Sequence, residues 1–244
     1  MYDTIKGLEI RRKCMIKSVF LDLDDTLLDF RKGERVALCG ALVKMGIEPK
    51  TELIERYVAI NLDCWHALER GEMTRNQVLV GRFERLFEEF GMESSAVEAQ
   101  DIYEELLASE HDFLPGAQEL LQEFRKSGKY KLYMATNGIP DVQWPRINAT
   151  GIGDYYEKIF ISDEIGYAKP GRAFFDACFE QIDGFRKDEA IIVGDSLSTD
   201  ILGGINAGIK TCHFRRDAVE YGEIKPDYTI NNLSELIPLL DSIK

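Results

Sequence analysis

The chain has 244 residues, with 43 acidic against 30 basic side chains and a formal net charge of −13. Its length and an apolar share of 45% allow one large domain or two modest ones with ample core, while the acidity argues against a polyanionic partner such as nucleic acid or an anionic membrane. No run approaches the ~20 apolar residues of a membrane helix, and the opening "MYDTIKGLEIRRKCMIKSVF" is basic but lacks a signal peptide's apolar stretch.

Residues 1–14 read as an N-terminal extension, with Met15 opening the compact part. Cys14, Cys39, Cys64, Cys178 and Cys212 are scattered without a CxxC pair and read as reduced thiols of a cytoplasmic protein. The first strand signal is the apolar run Ser18–Leu21. Helical periodicity follows near Gly33–Met45, Glu52–Leu68, Arg75–Phe90 and Val97–Glu110, punctuated by the turn-rich "GIEPK", "RGEMT" and "GMESS". A helix over Gly116–Lys126 then leads to strands at Lys131–Ala135 and Lys158–Ile161. Helix Arg172–Gln181, strand Ala190–Val193, helix Thr199–Ala207, strand Lys210–Phe214, a weaker strand Tyr228–Ile230 and helix Leu233–Leu240 complete the chain. Strands alternating with helices imply an α/β layer with a parallel sheet. Residues 15–30 and 114–244 build it, and 31–113 form a helical insertion over one edge.

Ligands of an open α/β sheet bind beyond the carboxyl ends of its strands, and there this chain places acids. "SVFLDLDDTLLD" puts Asp22 and Asp24 two residues apart, on one side of an extended chain. Two close carboxylates repel each other unless a cation sits beside them. Thr136 and Asn137 follow the second strand, Lys169 precedes Pro170 after the third, and "GDSLSTD" supplies Asp195 and Asp200 after the fourth. Singly, each has an ordinary explanation as a turn residue, a helix cap or a solvated lysine; together they form a constellation. Asp25 and Asp29 read as turn and surface acids, and His66, His111 and His213 share no metal-ligand spacing. "GIGDYY" lacks the third glycine of a dinucleotide loop, no GxxxxGK[ST] is present, and "GGINAG" reads as close helix packing and a helix stop.

"DLDDT", "ATNG", "AKP" and "GDSLSTD" resemble the four motifs of the haloacid dehalogenase-like superfamily, from residue 16 to the end. The insertion resembles the helical cap of its type one subfamily. "NLDCWHALERGEMT", "GRFERLFEEFG", "LPGAQELL", "DEIGYAKP" and "DILGGINAG" are similar to segments of the bacterial pyrimidine-preferring 5′-nucleotidases. The resemblance implies a Rossmann-like, doubly wound parallel sheet with a helical-bundle cap. It further implies magnesium-dependent hydrolysis of a small phosphate monoester through an aspartyl-phosphate on Asp22, with Asp24 as general acid and then base. Mg2+ would be held by Asp22, Asp195 and the Asp24 carbonyl. Thr136, Asn137 and Lys169 would bind the phosphoryl group, and Asp200 would orient Lys169 or the Asp195 loop. Asn61, Trp65 and Arg82 are the candidate substrate contacts from the cap, although Asn61 and Trp65, four apart on one helical face, suit packing as well as binding. A halide needs no proton to leave, so Asp24 favours a phosphatase over a dehalogenase. Alternatives are a phosphatase for a sugar phosphate or phosphoglycolate, a phospho-acceptor signalling module and a catalytically silent scaffold. The oligomeric state is open.

Overall fold

The computed structural model describes residues 15–218 and 221–243; the extension expected over 1–14, with Cys14, lies outside them. Strand β1 (Ser18–Leu21) is buried along its whole length. It lies at the centre of a six-stranded parallel sheet in the order β3-β2-β1-β4-β5-β6. A strand covered on both faces has no use for alternation. Accordingly Val19 and Leu21 pack into one apolar cluster while Phe20, between them, packs into the other.

Between β1 and β2 run four helices, α1 (Phe30–Lys44), α2 (Thr51–Glu69), α3 (Arg75–Glu89) and α4 (Ala96–Leu107). Helix α1 starts three residues before its apolar periodicity because the Asp29 side chain accepts from Lys32 N and caps it. Thr74 and Gln77 cap α3 reciprocally, and Ser95 caps α4. The chain continues through α5 (Ala117–Ser127), β2 (Lys131–Thr136), α6 (Pro140–Thr150), β3 (Lys158–Ile161), the short α7 (Ser162–Ile165) and α8 (Arg172–Glu180). It ends with β4 (Ala190–Gly194), α9 (Leu202–Ala207), β5 (Lys210–Phe214), β6 (Tyr228–Ile230) and α10 (Leu236–Ser242). The single helix expected over Thr199–Ala207 is instead a wide turn, Leu197–Ile201, feeding α9, and Ile201 N reaches back five residues to Ser196 O at 3.1 Å. Helix α6, with proline at its first and sixth positions, was not expected at all. Among the described residues no helix is long and apolar enough to cross a membrane, and Cys39, Cys64, Cys178 and Cys212 are free thiols.

The four inserted helices enclose their own core, in which the rings of Tyr57, Phe83 and Tyr103 meet at centroid distances of 4.9–5.8 Å. A buried polar ladder crosses it. Asn61 Nδ2 donates to Glu34 Oε1 (2.6 Å), Arg82 Nη1 to Asn61 Oδ1 (2.8 Å), Arg82 Nη2 to Gln100 Oε1 (2.8 Å), and Gln100 to Glu104. The Arg82 guanidinium also lies 4.8 Å from the Tyr103 ring centroid. Asn61 and Arg82, expected as substrate contacts, are 5% and 3% exposed and spend these polar atoms inside the helical layer.

Burial pushes Glu34 up to about 7, against the opposing pull of Arg82 and the Asn61 hydrogen bond. A carboxyl raised in the fold favours the folded state while protonated, so this contribution is present below the ordinary carboxyl range. It is lost as pH rises from about 4.5 to about 7. Glu34→Gln keeps an acceptor for Asn61 and abolishes the titration. The expected result is a flatter dependence of Tm on pH over that window, by on the order of 3 kcal/mol in stability. Thermal melts at half-unit pH steps check it, and parallel curves for the two proteins would sink the idea.

Candidate active site

Register brings the strand ends level. Leu21 of β1 pairs with Met134 of β2 and with Val193 of β4, so Asp22, Thr136 and Asp195 emerge on one edge of the sheet. Asp22 N still bonds Val193 O at 3.0 Å, which keeps the first acid on the rigid strand. At Asp25 the backbone turns left-handed (φ 57). Its carboxylate pairs with Arg216 and lies 3.5 Å from Arg31 Nε, while Asp29 caps α1 and reaches Arg216 at 3.4 Å. Both acids expected to be mere turn and surface residues thus pin the loop that carries Asp24.

Lys169, 3% exposed, is the hub. Its ammonium donates to Asp22 Oδ1 (2.7 Å), Asp200 Oδ1 (2.6 Å) and Ala135 O (2.7 Å), which uses all three of its donors. Burial works against its charge, but Asp200 and Asp22 outweigh it and hold Lys169 above its usual range. Both Asp200 oxygens have partners: one takes Lys169, and the other accepts from Ser196 N at 3.1 Å. The wide turn at Leu197–Ile201 aims it inward, and Gly194 makes room, since a Cβ there would stand 2.1 Å from Asp200 Oδ2.

Asp22 is also held by Thr26, a residue the sequence reading missed. Thr26 Oγ1 donates to Asp22 Oδ2 (3.1 Å) and accepts from Asp195 N (3.2 Å), so one hydroxyl links two strand ends. Burial pushes His213 down; its Nε2–H donates to Asp195 O (2.9 Å), and its Nδ1 lies 2.9 Å from Tyr221 Oη. Asn137, expected at the phosphoryl group, braces the neighbouring loop. Its amide nitrogen donates to Lys169 O (2.8 Å) and its oxygen accepts from Lys169 N (2.9 Å), which clamps the Lys169 loop. That uses one of the two hydrogens on its amide nitrogen, while Thr136 Oγ1 accepts from Gln143 Nε2 (2.8 Å) and Gly138 N (3.3 Å) and has its own hydrogen to donate.

Asp22, Asp195 and Asp200 each offer an oxygen within 4.8 Å of the others. Burial first, then Lys169 in opposition and Asp200 and Asp24 in support, set Asp22 at about 7; burial, Asp22 and Asp200 raise Asp195 well above the carboxylate range. Among the described residues no side-chain donor hydrogen-bonds the Asp195 carboxylate. An oxygen-only donor set in which three acids face one lysine fits a hard divalent cation. Asp22 and Asp200 each already bond Lys169 and Asp195 does not, so Asp195 together with either neighbour could hold one.

Asp24 is gripped from α6. Gln143 Nε2 donates to its Oδ2 (2.8 Å), and Arg146 Nη1 lies 2.7 Å from Oδ1 as an ion pair, without the alignment of a hydrogen bond. From the helical layer, Arg75 reaches over the same edge. It donates to Asn137 O (3.3 Å), Gly138 O (3.1 Å) and Ser162 Oγ (2.7 Å), with its guanidinium 5.9 Å from the Trp65 ring centroid. Trp65, half-buried, is thus one side chain removed from the strand-end loop, while Asn61 and Arg82 lie deeper.

Residues 16–208 match the family model described as haloacid dehalogenase-like hydrolase. The chain is 35% identical over 226 residues to the pyrimidine 5′-nucleotidase PynA of Streptococcus pneumoniae, covering 92% of this chain and 95% of that one. It is 34% identical over 223 residues to the pyrimidine 5′-nucleotidase YjjG of Escherichia coli, covering 91% and 96%. The crystal structure of the HAD-hydrolase YfnB of Bacillus subtilis, bound to magnesium, superposes with a TM-score of 0.89 at 33% identity, covering 93% of this chain and 99% of that one. The chain belongs to the haloacid dehalogenase-like hydrolase family.

Proposed function

We propose that this hydrolase cleaves phosphate monoesters, with pyrimidine nucleoside 5′-monophosphates as its substrates, through a phosphorylated Asp22. The observation that carries the reading is the pair Asp22 and Asp24: one carboxylate bound to Lys169 and Thr26, the other held by Gln143 and Arg146. An alkoxide leaving group needs a proton, and a second, separately held carboxyl supplies one. The names of the relatives PynA and YjjG support the nucleotide.

In this reading Asp22 attacks phosphorus, and Lys169 and the free hydrogen of Thr136 neutralise the phosphoryl oxygens. Asp24 protonates the departing oxygen and then draws a proton from the water that frees Asp22. Asn137 holds the Lys169 loop, and Asp200 orients the ammonium. Mg2+ would be held by Asp22, Asp195 and the Asp24 backbone carbonyl, and when bound it would offset the repulsion between carboxylate and phosphate. The inserted helices serve as a cap, with Trp65 beside Arg75 as the base-facing ring.

The test is phosphate release with and without Mg2+ over uridine, cytidine and adenosine monophosphates, sugar phosphates, phosphoglycolate and p-nitrophenyl phosphate. Pyrimidine nucleotides should lead. A sugar phosphate outrunning every nucleotide would remove the nucleotidase reading and leave the phosphatase; halide release from a haloacid with no phosphate release would remove both.

Stacking of a base on an aromatic ring is worth ~1–3 kcal/mol. Trp65→Ala is therefore expected to lower kcat/KM for uridine monophosphate about five- to a hundredfold, with little change for p-nitrophenyl phosphate. Trp65 also packs against the helical core, so a parallel loss on both substrates would mark it as a packing residue only.

A further inference from the structure

Helix α6 was invisible to periodicity, yet it touches both the proposed acid and Thr136, the hydroxyl proposed to bind the phosphoryl group. Gln143 and Arg146 stand three apart on one face of it, and both are 1% exposed. Every polar atom of the Gln143 side chain is engaged. Nε2 donates to Asp24 Oδ2 (2.8 Å) and Thr136 Oγ1 (2.8 Å), and Oε1 accepts from Arg146 Nη1 (2.7 Å). Arg146 in turn donates from Nε to Glu110 O (2.8 Å), and its ion pair among the described residues is with Asp24. Backbone geometry reserves the place: a Cβ on Gly138 would stand 2.3 Å from Gln143 Nε2.

We infer that Gln143 and Arg146 are positioning residues that fix the plane of the Asp24 carboxyl and lock it to the Thr136 hydroxyl, so that the acid and the phosphoryl-binding hydroxyl keep one geometry through both half-reactions. This rests on the reading of Asp24 given above. Rotation about the Cβ–carboxyl bond of an aspartate is soft. A partner on each oxygen, both from one helix, removes that freedom. Burial keeps both residues away from an incoming substrate, so their effect must pass through Asp24 and Thr136.

Asp24 works twice. As the Asp22–phosphorus bond forms and the phosphorus–ester oxygen bond breaks, its proton passes to the leaving oxygen. Its carboxylate then takes a proton from water whose oxygen bonds to phosphorus, breaking the Asp22–phosphorus bond, releasing phosphate and restoring the acid. p-Nitrophenolate leaves without a proton, so the first step is insensitive to Asp24 for that ester alone.

The experiment compares Gln143→Met, Arg146→Met and Arg146→Lys with the unaltered enzyme and with Asp24→Asn, all in Mg2+ and with folding checked by circular dichroism. The readouts are kcat/KM for uridine monophosphate and the burst rate of p-nitrophenolate release. Misplacing a general acid is expected to cost about 10- to 100-fold on the nucleotide. In the Arg146 variants, which leave the Gln143–Thr136 contact in place, the burst rate should stay within about threefold and be followed by slow turnover, because the same carboxyl must activate water. In Gln143→Met the burst falls through Thr136 as well, but by less than nucleotide turnover. Arg146→Lys keeps the charge and should recover about tenfold over Arg146→Met. If Arg146→Met does not fold, Gln143→Met and Arg146→Lys carry the comparison. Equal losses in burst and nucleotide turnover, or unaltered nucleotide turnover in a folded Gln143→Met, would overturn the inference. Asp24→Asn separates the levels. If it too fails to distinguish the two esters, the acid–base reading falls; if it distinguishes them and the α6 variants do not, only the positioning role falls.

Discussion

Asp22→Asn is expected to take phosphate release to background, a loss of roughly 10⁴-fold or more, while the protein stays folded. The amide has the same shape, its oxygen can accept from Lys169, and the Thr26 hydroxyl can turn to accept from its nitrogen. What it lacks is a nucleophilic oxygen. Because phosphate monoesters hydrolyse extremely slowly in water, no remaining group substitutes for it. The fold should not suffer, since burial already pushes the Asp22 carboxyl up to about 7 in the metal-free protein and the amide has no charge to desolvate. Two measurements check this: turnover of uridine monophosphate, and intact-mass detection of a phosphorylated protein after rapid acid quench. Substantial turnover in the Asn variant, with deamidation excluded by mass, would falsify the nucleophile assignment.

Lys169→Met should be the most damaging change in stability as well as in rate. Its ammonium is the shared donor to Asp22 and Asp200, at 2.7 and 2.6 Å. Methionine fills similar space but leaves two buried carboxylates, Asp22 and Asp200, facing each other without their shared cation. Removing one partner of a buried pair typically costs about 3–5 kcal/mol, visible as a lower urea midpoint at unchanged slope. Turnover should vanish with it, because the phosphoryl oxygens lose their counter-charge. Lys169→Arg is not a rescue: a planar fork does not match three acceptors gathered around one nitrogen. A methionine variant with the parent's urea midpoint and rate would refute the hub role.

The strands were legible because a buried parallel strand is a short apolar run, and Ser18–Leu21, Lys158–Ile161 and Lys210–Phe214 were read to the residue. The helical insertion was legible from its periodicity, with one end displaced where Asp29 caps α1; in the sheet layer, the wide turn before α9 displaced another helix start. Helix α6 was not, because Pro140 and Pro145 read as breakers although the first suits a helix start.

By itself the sequence determined which chemistry-bearing residues lie at strand ends: Asp22, Asp24, Thr136, Lys169 and Asp195 each follow a recognisable apolar run, and strand ends share one edge of a parallel sheet. Periodicity also put Asn61 and Trp65 on one helical face. Which of them faces the core, and what each polar group touches, only the tertiary structure decided. Asn61 and Arg82 turned inward to Glu34 and Gln100, Asn137 clamped the Lys169 backbone, and Gln143 reached Asp24 across 119 positions of sequence. Local propensity depends on neighbours within a few residues, whereas a buried polar atom must find its partner wherever packing brings one.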